Sequence, residues 1–447
     1  MIDYTLLIAV ISGIAILLVL ILYFRIQAFI ALLIASISVG VIAGMPSLEI
    51  ISSMQKGMGD TLGFVAVIVG LGAMFGAILE NSGGAEALAS YLLGKFGEKR
   101  ASWSLMLTGF FVAIPVFFDV GFIILMPLVY SLQRKTKKSL LLYGLPLLAG
   151  LAITHAFIPP TPGPVAVADI LQADLGWVIM FGLVASIPAA ILGGPLFARY
   201  ISKKIHIEAP EITDGETAKT TFPPVGMVIG IIGIPIFLIV ANTLLNGPLF
   251  SAYRIPEAIK TWIGLLGHPF TALILANLIA WYFLGIRRKM KKEALLKITT
   301  KSMEPAGIII LLTGAGGVFK QMLVDTGTGE MLAAYFTDSG VGLLMIAFTA
   351  AALVRIMQGS ATVAMITAAG LTAPLLTTGI GEADRALLVI AIASGATIMS
   401  HVNDSGFWLV GKYLRLTEKE TFRSWTVMTT ILALTGFATV WVMSLFV

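Results

Sequence analysis

The sequence predicts an all-α polytopic membrane protein. It is expected to hold two inverted-topology repeats, each of five transmembrane helices, one of them broken, plus one re-entrant hairpin. Three observations lead there: the composition, the charges that flank the apolar runs, and a weak internal repeat. Of 447 residues, 58% are hydrophobic and only 12% charged, and the mean hydropathy is +0.97. A soluble domain carries about 25% charged residues, so the bulk of this chain belongs in lipid. The 46 glycines suit close helix packing and broken helices. The absence of cysteine excludes disulfides, thiolate metal sites and cysteine nucleophiles. The net charge of +5 does not point to nucleic acid, because the basic residues cluster in short loops between apolar runs.

A spanning helix needs about 20 apolar residues. Runs of that kind occupy 4–24, 27–44, 61–80, 140–172, 175–198, 223–246, 259–285, 303–324, 385–412 and 425–446. No basic region precedes the first, Tyr4 to Phe24, so it reads as a retained helix rather than a cleaved leader. Two further stretches, 102–132 and 340–376, are apolar but interrupted midway by "PVFFDVGF" and "RIMQGSAT". Lys95, Lys99 and Arg100 precede the first of these, and Arg134, Lys135, Lys137 and Lys138 follow it. Basic flanks at both ends put both ends in the cytoplasm, so the segment enters and leaves on one side as a hairpin. Arg199, Lys203, Lys204, Arg287 to Lys292 and Lys412 to Arg415 then fall inside. The loop 325–339, with Asp325, Glu330 and Asp338 and no basic residue, falls outside, as do both termini. Lys56 falls on the wrong side.

"LENSGGAEALASY" (79–91) aligns with "LVDTGTGEMLAAY" (323–335), and "THAF" (154–157) with "SHVN" (400–403), which makes His155 and His401 equivalent. The expected units are residues 1–200 and 223–447, joined by a hydrophilic cytoplasmic linker, 201–222. An odd number of spans per repeat inverts the second copy. Inverted repeats with discontinuous helices are the architecture of secondary transporters, with ligands near the midplane between repeats.

Four places carry chemistry. They are the first hairpin tip with Asp119, the break "THAFIPPTPGP" (154–164), the second tip "QGSAT" (358–362) just after Arg355, and the break "SHVNDSGFW" (400–408). Pro159, Pro160, Pro162 and Pro164 cannot donate backbone hydrogen bonds, so the helix must unwind there. Helix N-termini at such breaks present free N–H groups to an anion. The hydroxyls and amide of Thr154, Thr161, Ser360, Thr362, Asn403 and Ser405 suit a polyhydroxylated ligand. Asp119, His155, His401 and Asp404 are candidates for reversible protonation, and the planar fork of Arg355 matches a carboxylate. Plainer readings stand beside these. The prolines would serve as kinks and the histidines as structural hydrogen-bonders. Asp119 would cap a helix, Arg355 would pair with Asp404 or backbone carbonyls, and Glu86 and Glu330 would start helices.

The run "GFIILMPLVYSL" after "FFDVGF", with "HAFIPPTPGP", "RIMQGSATVAMITAAG" and "SHVNDSGFWLV", resembles the gluconate permease family of proton-coupled transporters, over nearly the whole chain. The resemblance implies proton-driven uptake of gluconate or a related sugar acid across the bacterial cytoplasmic membrane. It also implies an elevator-like motion and a homodimer. Many members carry Glu where Asp119 stands and His where Thr161 stands. The first change keeps a carboxylate and the second removes a titratable group. The expected partners are therefore a small sugar-acid anion, a proton and membrane lipid, with no cofactor and no metal. The expected binding residues are Thr154, His155, Thr161, Arg355, Gly359, Ser360, Thr362, Asn403 and Ser405, with Asp119, Asp404 and His401 handling the proton. A sodium-coupled carrier, an anion channel, and a D-serine or small hydroxy-acid permease remain alternatives. An intramembrane enzyme is disfavoured, since there is no Cys and no HExxH cluster.

Overall fold

The structure is a computed structural model that describes residues 4–210, 222–246, 256–328, 342–376 and 380–447. Most of the expected linker, the loop 325–339 beyond Thr328, and Glu330 with the rest of the second repeat copy lie outside the described residues. Among the described residues, eight helices are long and apolar enough to cross a membrane. Backbone in hydrocarbon must satisfy its own hydrogen bonds, and a helix does so within one segment.

The helices run in order as α1 (Tyr4–Leu22), α2 (Ala28–Ile42), α3 (Ser47–Asn81), α4 (Gly84–Phe96), α5 (Ala101–Val112), α6 (Phe118–Thr136), α7 (Leu141–Phe157), α8 (Pro162–Leu171) and α9 (Leu175–Ile191). The last continues through a π turn (Leu192–Leu196) into α10 (Phe197–Ile201). Then follow α11 (Val225–Asn246), α12 (Glu257–Gly267), α13 (Pro269–Ala280), α14 (Lys292–Lys301), α15 (Met303–Asp325), α16 (Leu343–Gln358), α17 (Ala361–Thr372), α18 (Glu382–Thr397), α19 (Ser405–Tyr413) and α20 (Val427–Met443).

Two spans differ from expectation. The run 61–80 is the last part of α3, a 35-residue helix whose polar start, with Lys56 and Asp60, continues the same spiral. At 1.5 Å per residue α3 is about 50 Å long, well beyond a bilayer core of about 30 Å. The run 259–285 is divided into α12 and α13. Proline disfavours helical geometry at the residue before it. His268 is accordingly extended (φ −61°, ψ 133°), and its Nδ1 accepts from the Phe270 N–H at 3.3 Å. By contrast, α4 opens after Gly83 (φ +75°) with Glu86 in its first turn, the expected helix-start position.

The broken helices lie at the centre. α7, α8 and α18 are almost entirely buried, whereas α1 and α11 present large exposed faces. Two helix pairs pack alike: α5 lies along α7, and α16 lies along α18. The long helices α3 and α15 pack face to face, close enough that a Cβ on Gly57 would stand 2.6 Å from the Gly317 carbonyl. This pair backs the breaks: a Cβ on Gly76 of α3 would fall 2.0 Å from the carbonyl of Pro115, in the connection between α5 and α6.

Candidate functional site

The interruptions expected from the sequence sit between α5 and α6, α7 and α8, α16 and α17, and α18 and α19. Each interruption leaves a helix N-terminus behind it, and all four N-termini wall one cavity of about 590 Å³. That volume lies within the ordinary range of small-molecule sites, about 300–1,000 Å³. α6 contributes Phe118 and Asp119, α8 contributes Pro162 and Gly163, α17 contributes Ala361 and Thr362, and α19 contributes Ser405 and Gly406. The first N–H groups of a helix have no partner within it and carry partial positive charge. α8 supplies fewer of them, because Pro162 and Pro164 have no N–H.

The second half builds the polar wall. α16 ends on Gly359, which holds φ +90°, a left-handed conformation suited to glycine. A Cβ there would also stand 2.3 Å from the Asn403 carbonyl. The chain then turns at Ser360, whose side chain accepts from the Val363 N–H at 3.3 Å and whose own N–H donates to Gln358 Oε1 at 2.9 Å. Arg355, only 5% exposed, donates from Nη2 to Asp404 Oδ2 at 2.5 Å and from Nη1 to the Gly359 carbonyl. Asp404 is the N-cap of α19: its Oδ1 accepts from the Gly406 N–H at 3.0 Å, and the Ser400 hydroxyl donates to Oδ2, the oxygen that Arg355 also holds. Asn403 Nδ2 donates to the Ile356 and Met357 carbonyls at 3.0 and 3.2 Å. His401 Nε2 meets the Ile356 carbonyl at 2.8 Å. A carbonyl only accepts, so that nitrogen carries a hydrogen. The break 400–408 thus satisfies the open carbonyl end of α16, and the charged pair rivets break to tip.

The first half is sparser. Asp119 projects into the cavity and makes no hydrogen bond or ion pair among the described residues. His155 lines the cavity beside Phe117, their ring centroids 6.2 Å apart, and its buried Nδ1 has no hydrogen-bond partner among the described residues.

The sequence model of GntP family permeases matches residues 4–446. The chain belongs to the GntP permease family. It is 41% identical to the low-affinity gluconate transporter of Escherichia coli (strain K12), over 98% of this chain and 97% of that one. It is 40% identical to a gluconate permease of Pseudomonas aeruginosa, over 96% and 95%. Its fold is similar to that of the Alcanivorax borkumensis YdaH transporter, with a TM-score of 0.62 over 87% of each chain at 17% identity. This GntP permease is a multi-pass membrane transporter and not an enzyme.

Of the twelve residues singled out from sequence, nine line the permease's central cavity: Asp119, His155, Arg355, Gly359, Ser360, Thr362, Asn403, Asp404 and Ser405. Thr154, Thr161 and His401 do not. Thr154 is fully buried, and its hydroxyl has no hydrogen-bond partner among the described residues. Thr161 turns its hydroxyl back onto the Ile158 carbonyl at 2.6 Å and closes the break locally. His401 is spent on α16.

Sequence reasoning missed Trp425, Thr429, Thr397 and Met365 in the same wall. Trp425 Nε1 donates to Ser400 Oγ at 2.6 Å, Thr426 Oγ1 to the Ser400 carbonyl at 2.5 Å, and the Ser400 N–H to Thr429 Oγ1 at 3.1 Å. The available signal was the hydroxyl-rich start of the last span, "SWTVMTT" (424–430).

Proposed function

We propose that this permease takes up gluconate or a related sugar acid by proton symport across the bacterial cytoplasmic membrane, by an elevator-type movement. The observation that carries the reading is the convergence of four helix N-termini, with hydroxyls and amides, on one cavity among buried helices. Partial positive charge without mobile cations suits an anion, and Thr362, Ser405 and Asn403 suit its hydroxyls. The gluconate specificity named for the relatives agrees with this chemistry. Arg355 and Asp404 are assigned to holding the site in shape. Asp119, the carboxylate with no partner, is assigned to the proton.

The two units, 1–200 and 223–447, are read as inverted repeats, with 201–222 cytoplasmic and both termini outside. The like packing of α5 on α7 and of α16 on α18 supports that reading. The hairpins and broken helices form the moving core, and residues 4–44 and 223–285 form the scaffold and the homodimer contact.

The test is uptake of labelled gluconate into proteoliposomes. Accumulation on an imposed pH gradient in sodium-free buffer, with counterflow of labelled against unlabelled gluconate, is the expected result. Accumulation that ignores pH and needs sodium would identify a sodium-coupled carrier. Flux without counterflow would identify a channel, and preference for D-serine or a small hydroxy acid would replace the substrate.

A further inference from the structure

A second cavity, of about 790 Å³, adjoins the first across the tip between α16 and α17. Gln358, Ser360 and Asn403 line both. The rest of its wall is largely apolar, from Ile21, Phe29, Ile308 and Leu311 among others, except where the α1–α2 turn contributes Arg25 and Gln27. Arg25 is exposed and sits at φ +54°. Its guanidinium makes no hydrogen bond, ion pair or ring contact among the described residues.

The charges explain why this matters. The central cavity holds Asp119, Asp404 and Arg355, and Arg355 is committed to Asp404 and the Gly359 carbonyl. An anion arriving there meets one unneutralised carboxylate, Asp119, and no free cation. Four helix ends, each worth about half a unit charge at most, must hold it against that. Among the described residues lining either cavity, the one unpaired cation is Arg25.

We propose that Arg25 and Gln27 form a second, cytoplasm-facing subsite for the substrate carboxylate, and that the anion passes between it and the central cavity along Gln358, Ser360 and Asn403. The guanidinium fork is complementary to a carboxylate in a two-point contact, which a lysine ammonium is not, and the Gln27 amide adds a donor. Three polar side chains shared by both cavities let the anion exchange one set of hydrogen bonds for another on the way. This subsite rests on the sugar-acid reading above. The plainer role for Arg25 is that of a basic anchor at the membrane surface.

The two roles separate in gluconate counterflow, with KM and maximal rate measured over a range of ionic strength. Arg25→Gln is expected to raise KM roughly tenfold, the scale of one lost charge-assisted hydrogen bond. It should leave the maximal rate unchanged and flatten the salt dependence, because the steering charge is gone. Arg25→Lys keeps an anchor charge but loses the fork, so its KM should fall between the two. Gln27→Ala should shift KM the same way by less. An Arg25→Gln protein with wild-type KM and salt dependence would overturn the subsite. So would one whose inserted amount and maximal rate fall while KM stays put, since that is anchoring. Wild-type protein that exchanges no sugar acid at all would instead overturn the reading on which the subsite rests.

Discussion

Asp404 carries the heaviest hydrogen-bond load of the cavity residues, with Arg355, Ser400 and the Gly406 N–H all donating to it. Removing one partner of a buried pair strands the other, at a cost of about 3–5 kcal/mol. Asp404→Asn and Arg355→Ala should therefore each lower the thermal unfolding temperature of the detergent-solubilised protein, as well as abolish transport. The partner-free Asp119 should behave differently. Asp119→Asn is expected to keep wild-type thermal stability and counterflow but to lose accumulation on a pH gradient. An Asp119→Asn protein that accumulates normally would return the proton to another group. The threonines divide in the same way. Thr161→Val breaks only a local bond to Ile158 and should leave the gluconate KM unchanged. Thr362→Val, in the wall, should raise it about three- to tenfold, the value of one net hydrogen bond.

At the scale of elements, function depends on where helices stop. A proline run marks one stop in the sequence and polar residues interrupting apolar runs mark the other three, so the positions of all four breaks were legible there. The direction each polar side chain takes was not. Thr161 and Thr362 both stand at a break, yet the Thr161 hydroxyl folds back onto Ile158 while Thr362 lines the cavity. The division of the span 259–285 was readable in retrospect from Pro269, but its hydropathy is that of one helix, and hydropathy does not register a backbone restriction. Contact between α3 and α15 gives this scale its own test. Gly317→Val would push a branched side chain into Thr61 Oγ1 and the Gly57 carbonyl, which stand 2.2 and 2.6 Å from the Cβ position. Overpacking of this kind costs about 1–3 kcal/mol, to be read as a lowered midpoint of thermal unfolding.

Across the whole molecule, charge sorts into separate compartments. Lys56, which fits no loop-charge rule, lines a third cavity of about 700 Å³ with Asp60, Asp169, Lys320 and Glu382, between α3, α8, α15 and the start of α18. It is there as one of several charges lining that cavity, not as a topology signal. Asp169 and Lys320 are the most buried of that set and act on each other electrostatically. Neutralising either one alone, as Asp169→Asn or Lys320→Gln, should lower thermal stability more than neutralising both, because the single change leaves an uncompensated charge. The proposed topology is open to direct measurement, since the chain has no cysteine of its own. A thiol introduced as Ser444→Cys should react with a membrane-impermeant maleimide in intact cells. One introduced as Lys419→Cys should react only after permeabilisation. The opposite pattern would invert the assignment of sides.

Composition, apolar run length and the prolines and polar residues that interrupt those runs determined that this chain is a membrane-embedded helical protein with four interrupted segments. They also determined that Asp119, Arg355 and the 400–408 stretch sit at those interruptions. These properties follow from transfer free energy and backbone restriction, which are local to a segment. Only the tertiary structure decided that the four helix starts face one another, that Arg355 is consumed by Asp404, that His401 and Asn403 satisfy α16, and that Trp425 and Thr429 complete the wall. Those outcomes depend on contacts between residues far apart in the chain, such as Arg355 with Asp404 and Ser400 with Trp425, and no periodicity within a single segment encodes which partner a buried polar group will find.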